Sequence, residues 1–153
     1  MKILLSVDDS DYSAAASKEI AKRPWPKGTT VRVLTVVEPF FPIGIEPWYA
    51  GLESFERIDQ EVQKSARDLT KQTAESLKKK GIRAETVVRQ GDARSEIIIE
   101  SEKWAADLIV MGSHGYTGIE RLLLGSVALS VVSHAPCSVE IVRRKQTKKV
   151  TKR

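Results

Sequence analysis

One cysteine and two histidines among 153 residues leave little room for metal or disulfide chemistry. Cys137 has no second thiol to bridge, and with His114 and His134 it cannot furnish the four Cys/His ligands of a structural zinc site. No apolar stretch approaches the ~18 residues of a membrane-spanning helix. The acidic pair Asp8-Asp9 comes too early for the apolar region of a secretory signal, so a cytoplasmic protein is expected. Trp25, Trp48 and Trp104 have no spacing that suggests a stacking platform for nucleic acid. Both familiar phosphate loops are absent: the chain contains neither Gly-x-Gly-x-x-Gly nor Gly-x4-Gly-Lys-Ser/Thr.

What remains is the composition of one globular domain, 41% hydrophobic and 29% charged. A chain of this size buries about 70% of the surface its unfolded form exposes, enough to fold without a bridge or a metal. The net charge of +5 suggests an anionic partner until it is located: residues 143 to 153 hold seven Lys/Arg and no Asp/Glu, and the rest carries 18 basic against 20 acidic residues. We therefore expect a domain over 1–143 and a basic tail over 144–153. That tail is either a solvated, disordered end or a tether to nucleic acid or another anionic surface.

The apolar pattern switches between short β-branched runs and longer helical stripes, which predicts an α/β fold with strands alternating with helices around a parallel sheet. Strands are read at 3–7, 31–37, 85–89, 108–111 and 139–142, and four helices separate them. The first helix starts after Asp9-Ser10 and stops before Pro24. In the second, Phe55, Ile58, Val62, Ala66, Leu69, Thr73 and Leu77 draw one stripe expected to be buried, closed by Lys78-Lys79-Lys80 and Gly81. The third opens at Asp92 and is expected to bury Ile97, Ile98, Trp104 and Ala105, and the fourth runs from about Ser126 to His134 before Pro136. Residues 39–52, rich in Pro and aromatics, read as a loop that packs on the sheet edge or folds over a ligand.

In an open parallel sheet, ligands bind beyond the carboxyl ends of the strands where the strand order reverses. Beyond the fourth strand lie four of the nine glycines, between Gly112 and Gly125, in the pattern Gly-x2-Gly-x9-Gly-Ser. Glycine lets a backbone approach an anion and adopt positive φ, so that successive amides can face phosphate oxygens. Gly125-Ser126 then opens a helix whose positive end adds to the attraction, and the Ser126 hydroxyl can donate to phosphate or cap that helix.

Gly112, Gly115, Gly125 and Ser126 resemble the ATP-binding motif of the universal stress protein family. The resemblance extends through Ile3 to Ser10, Val110 to Gly115 and His134 to Cys137. It implies a Rossmann-like doubly wound open sheet of five parallel strands in order 3-2-1-4-5 with four helices, a homodimer made partly through the last strand, and a nucleotide-dependent regulatory role in stress response. It further implies ATP with Mg²⁺ as the ligand. Asp8 would hold the ribose or adenine side, Val36 and Met111 the adenine pocket, and Gly112, Gly115, Gly125, Ser126 and Val127 the ribose and phosphates.

This chain departs from the family pattern at Asp9, which is either a helix cap or a metal ligand, and at Ser138 and Glu140 in the last strand. A glutamate at a strand edge opposes edge pairing or meets an arginine of the partner subunit. His114 reads as a loop-positioning residue, a phosphate contact or a general base, and Cys137 as a buried inert thiol. Two other functions compete with nucleotide sensing: slow ATP hydrolysis, for which Arg121 near the loop offers charge, and a dimeric interaction module that needs no nucleotide.

Overall fold

The computed structural model describes residues 1–39, 52–115 and 124–144. Within them the chain alternates β1 (Lys2–Ser6), α1 (Asp11–Lys22), β2 (Thr30–Val37), α2 (Leu52–Lys78), β3 (Arg83–Gln90), α3 (Ala93–Trp104), β4 (Leu108–Gly112), α4 (Ser126–His134) and β5 (Ser138–Val142). All strand pairs are parallel and the order is β3-β2-β1-β4-β5, the doubly wound arrangement expected.

The pleat divides the core. Ile3, Leu5, Val31, Val33 and Val110 point to the face covered by α1 and α2, where Ala16, Ile20, Ala74 and Leu77 meet them. Leu4, Leu34, Ile109 and Met111 point the other way, against Ile97 of α3 and Ala128 and Val131 of α4. Because β1 and β4 are central and covered on both faces, their side chains run apolar without alternation. Each such buried aliphatic side chain contributes roughly 1.5–3 kcal/mol.

The helix ends follow their caps, with two corrections. Ser10 caps α1 by accepting from the Ser13 N–H, so Asp9 is not the cap; its side chain is exposed. Among the described residues no group of three His, Cys, Asp or Glu could hold a metal ion. Ala105 is not a buried helical residue. It is the exposed C-cap of α3 with φ of 53°, and Ala106 beyond it takes the core position. Gly81, at φ of 81°, closes α2 with its N–H on the Lys78 carbonyl.

The α2 stripe is buried only toward its C-terminal end. Ala66 and Leu77 are buried, whereas Ile58 is 44% and Val62 43% exposed. Length explains the difference: at ~1.5 Å per residue a 27-residue helix runs about 40 Å. The eight-residue strands β2 and β3 span about 26 Å, so the first turns of α2 overshoot the sheet.

Asp92 caps α3 by accepting from the Ser95 N–H at 3.0 Å and the Ser95 hydroxyl at 2.9 Å. These two donors hold its carboxyl below the usual carboxylate range. A depressed pKa means stability that is present above the unfolded-state value and lost as pH falls through the folded one. Asp92→Ala is expected to lower the unfolding free energy by about 1 kcal/mol at neutral pH, with the deficit shrinking in acid. Urea unfolding of both proteins at neutral and acidic pH checks this, and a deficit that grows in acid would contradict it.

Candidate functional site

The strand order reverses between β1 and β4, and the chain leaves each of them for a different face of the sheet. The crevice this opens is a cavity of about 270 Å³. Asp8, Val36, Met111, Gly112, Gly115, Gly125, Ser126 and Val127 all line it, so the sequence-derived site residues converge on one place. Sequence reasoning missed Ser13, Ala93 and Ile97, which reach the cavity from α1 and α3. Only the fold brings α3 to this wall, and its spacing carries no signal of it.

Asp8 follows the end of β1, which is anchored by the Val7 N–H on the Leu34 carbonyl at 2.8 Å and by the Thr35 hydroxyl on the Val7 carbonyl at 3.1 Å. The Asp8 Oδ1 accepts from the Ser10 N–H at 3.2 Å and the Ser10 hydroxyl at 2.5 Å, while the Ser13 hydroxyl donates to the Asp8 carbonyl. Its carboxylate is thus fixed by the same turn that starts α1.

The glycines serve close approach rather than unusual φ. Gly28, Gly81 and Gly91 are the described glycines at positive φ, so Gly112, Gly115 and Gly125 do not use the left-handed freedom expected of them. A Cβ at Gly112 would lie 2.7 Å from the Tyr12 carbonyl carbon, one at Gly115 3.0 Å from Asp8 Oδ2, and one at Gly125 3.3 Å from the Ser113 carbonyl oxygen. The segments are pressed together, and the missing side chains are what permit it.

Gly125 is the N-cap of α4 and, having no side chain, leaves the first amides without a side-chain acceptor; no acidic residue occupies the first turn. Ser126 lies inside the helix and does not cap it. The helices α1 and α3, by contrast, are capped by Ser10 and Asp92. Unsatisfied amides and the positive dipole end therefore border the cavity, the local chemistry that attracts an anion. His114 is buried beside them, with Nδ1 3.0 Å from the Ser113 hydroxyl and its ring centroid 5.1 Å from that of Tyr12. The residue is among those lining the cavity, and Ser113 and Tyr12 are among the groups against its ring.

Away from the cavity, Cys137 is half-buried, and burial followed by the negative charge of Asp107 pushes its thiol up, away from the reactive thiolate. Glu140 meets an arginine of its own chain: Arg23 donates to its two carboxylate oxygens at 2.7 and 2.6 Å. Arg121, most of the 39–52 loop and residues 145–153 of the tail lie outside the described residues. None of the described helices is long and apolar enough to cross a membrane.

A doubly wound parallel sheet with a glycine-bordered crevice at its reversal point places the chain among open-sheet α/β domains. The Universal stress protein family matches residues 1–143, and the chain belongs to that family. Universal stress protein MJ0531 of Methanocaldococcus jannaschii is 33% identical over 145 residues, covering 94% of this chain and 82% of that protein. The solved structure of MJ0577, from the same organism, superposes with a TM-score of 0.82 at 26% identity, covering 95% of this chain and 97% of the other. A universal stress protein family member from Arabidopsis thaliana, solved with AMP bound, shares the fold with a TM-score of 0.66 at 18% identity over 94% of this chain and 92% of its own.

Proposed function

We propose that this protein binds an adenine nucleotide, ATP together with Mg²⁺, in the crevice between β1 and β4, and acts as a nucleotide-dependent regulatory module in stress response. The observation that carries the reading is the uncapped start of α4, which borders the same cavity as the fixed carboxylate Asp8. Gly112, Gly115 and Gly125 would let phosphate approach the backbone, and the N–H groups of Ser126 and Val127 at the start of α4, rather than cationic side chains, would compensate its charge, since the Ser113 and Gly125 N–H groups already donate to the Val142 and Ser113 carbonyls. Val36, Met111 and Ile97 give the opposite wall an apolar surface suited to a base, and Asp8 is placed to accept hydrogen bonds from a ribose. Magnesium usually binds through phosphate oxygens and water with one or two carboxylates, and Asp8 is the carboxylate lining the described cavity.

We assign this function to residues 1–143, with 144–153 as an appended basic tail, in a cytoplasmic protein. Leu129 and Val132, exposed on α4 beside the outer strand β5, support a homodimer.

Titration calorimetry with ATP and Mg²⁺ should give saturable binding, and denaturing freshly purified protein should release an adenine nucleotide detectable by mass spectrometry. Gly125→Val, which fills the space before Ser126, should weaken binding at least about tenfold while leaving the circular dichroism spectrum unchanged. The absence of saturable binding at millimolar nucleotide would overturn the proposal.

A further inference from the structure

The parallel sheet has a second end, opposite the crevice, where the chain enters β2 and β3 side by side. The connection 23–29 from α1, the connection 79–82 from α2 and Arg83 at the start of β3 border a cavity there of about 480 Å³. Among the described residues lining it, Arg23, Lys27, Lys80 and Arg83 are cations and none is Asp or Glu. Thr30 and Val36, near the two ends of β2, stand about 20 Å apart by strand rise, so this cavity is separate from the crevice that Val36 lines.

Positive charge is concentrated here beyond what the helices use. Residues 22–29 and 78–83 hold seven Lys/Arg and no Asp/Glu, whereas the remainder of 1–142 has 11 basic against 20 acidic residues. Lys22 and Lys78 lie in the last turns of α1 and α2, where a cation offsets the negative end of the helix dipole. Lys27 and Arg83 lie outside both helices and have no such task. Arg23 is engaged by Glu19 and Glu140, but among the described residues no carboxylate is paired with Lys27, Lys80 or Arg83. Like charges brought to one concavity repel one another, and a multivalent anion relieves that repulsion.

The walls of the cavity are tied in place. Pro24 and Pro26 restrict the first connection, the Thr29 N–H and hydroxyl both donate to the Pro26 carbonyl at 3.1 and 2.7 Å, and the Trp25 indole donates to the Ile20 carbonyl at 2.9 Å. In the second, the Gly81 and Ile82 N–H groups donate to the Lys78 and Leu77 carbonyls at 2.9 and 3.1 Å.

We propose that this cavity binds a compact anion carrying several phosphate groups, at a site independent of the nucleotide crevice. A ligand confined to about 480 Å³ must carry its charge on few atoms to meet these cations, and linked phosphates do so where an acidic peptide needs a longer scaffold. Arg83 offers a planar fork that matches phosphate oxygens, and Lys27 and Lys80 offer compact charges from the two facing connections.

Calorimetric titration with inorganic tripolyphosphate, at about 0.15 M salt to screen diffuse attraction, should show saturable binding to the native protein. Lys27→Gln/Lys80→Gln, one change in each connection, should weaken it at least about tenfold. Lys64→Gln/Lys71→Gln removes equal charge from exposed positions of α2 and should leave it within about twofold. Adenosine carries no phosphate and reports the crevice alone, so its affinity should be the same in all three proteins. Circular dichroism establishes that the variants are folded, and Lys27→Gln alone repeats the measurement if the pair does not fold. Equal weakening by the two double variants would reduce the attraction to net charge and overturn the site. Tripolyphosphate binding that Lys27→Gln/Lys80→Gln leaves unchanged, or no saturable binding at millimolar tripolyphosphate, overturns it as well. Duplex DNA or phosphatidylserine vesicles that displace tripolyphosphate and need Lys27 and Lys80 for their own retention would replace the compact ligand by a macromolecular surface. A native protein that binds tripolyphosphate through these lysines but neither adenosine nor ATP in the crevice would strike the nucleotide reading and leave this one standing.

Discussion

Glu100→Ala is expected to lower the unfolding free energy by about 3 kcal/mol, seen as a fall in the urea midpoint with an unchanged slope. Glu100 is 1% exposed inside α3, and each of its carboxylate oxygens is taken by a different strand. Arg32 of β2 donates from Nη1 to Oε1 at 2.7 Å, and Arg89 of β3 donates from Nε to Oε2 at 2.7 Å, with its Nη2 at 2.6 Å. Removing the carboxylate leaves both guanidinium groups without the charge they share, which is what makes breaking a buried pair expensive.

The full penalty for an orphaned buried charge, about 3–5 kcal/mol, is reduced here because both arginines keep an outlet. Arg32 retains Glu85, whose Oε1 lies 2.6 Å from its Nη2, and its guanidinium stacks 4.4 Å from the Trp104 ring centre. Arg89 is 42% exposed and can turn toward water. For the same reason Arg89→Ala should cost less than Glu100→Ala, since Arg32 continues to neutralise the carboxylate. A Glu100→Ala protein within about 0.5 kcal/mol of native would mean that the cluster is only weakly coupled to folding.

The contrast between Glu100 and its neighbours shows which parts of the molecule were legible in the sequence. Local signals carried the framework: Ser10 and Asp92 cap where their side chains can reach N–H groups three residues on, and Leu108 to Met111 reads apolar because β4 is covered on both faces. The eight candidate site residues came from the family resemblance, and they line one cavity because the strand order brings the ends of β1, β2 and β4 and the start of α4 together. Glu100 was not found, since its partners come from 68 and 11 residues away and nothing in helix α3 announces them. Glu140 was noticed as a group that opposes edge pairing or meets a partner's arginine, but its ion pair with Arg23 was not, because Arg23 lies 117 residues distant and reaches it only once α1 packs beside β5. The first turns of α2 were misread for a similar reason. Apolar spacing reports which face of a helix could be buried, and the length of the neighbouring strands decides how much of it is.

Gly112→Ala should be the most damaging of the three glycine substitutions around the crevice, lowering stability by about 2–3 kcal/mol, toward the upper end of ordinary overpacking costs. The added Cβ would lie 2.7 Å from both the carbonyl carbon and the Cβ of Tyr12 and 2.9 Å from its carbonyl oxygen. Two of these atoms are backbone and the third is a Cβ, so no rotamer change relieves the contact. Yielding would require α1 to shift, and its first turn is held by the Ser10 cap and the Ser13 hydroxyl on the Asp8 carbonyl. At Gly115 the opposing atom is the tip of the Asp8 side chain, which can rotate at the expense of its bonds to Ser10, and at Gly125 the nearest contacts stand at 3.3 Å. Thermal or urea unfolding should therefore rank Gly112→Ala well below Gly115→Ala and Gly125→Ala. A phosphate-loop role alone predicts a different outcome, in which all three lose ligand affinity and none loses stability. If Gly112→Ala unfolds like the native protein, the approach of α1 to the end of β4 is looser than these distances require, and the packing account of that glycine fails.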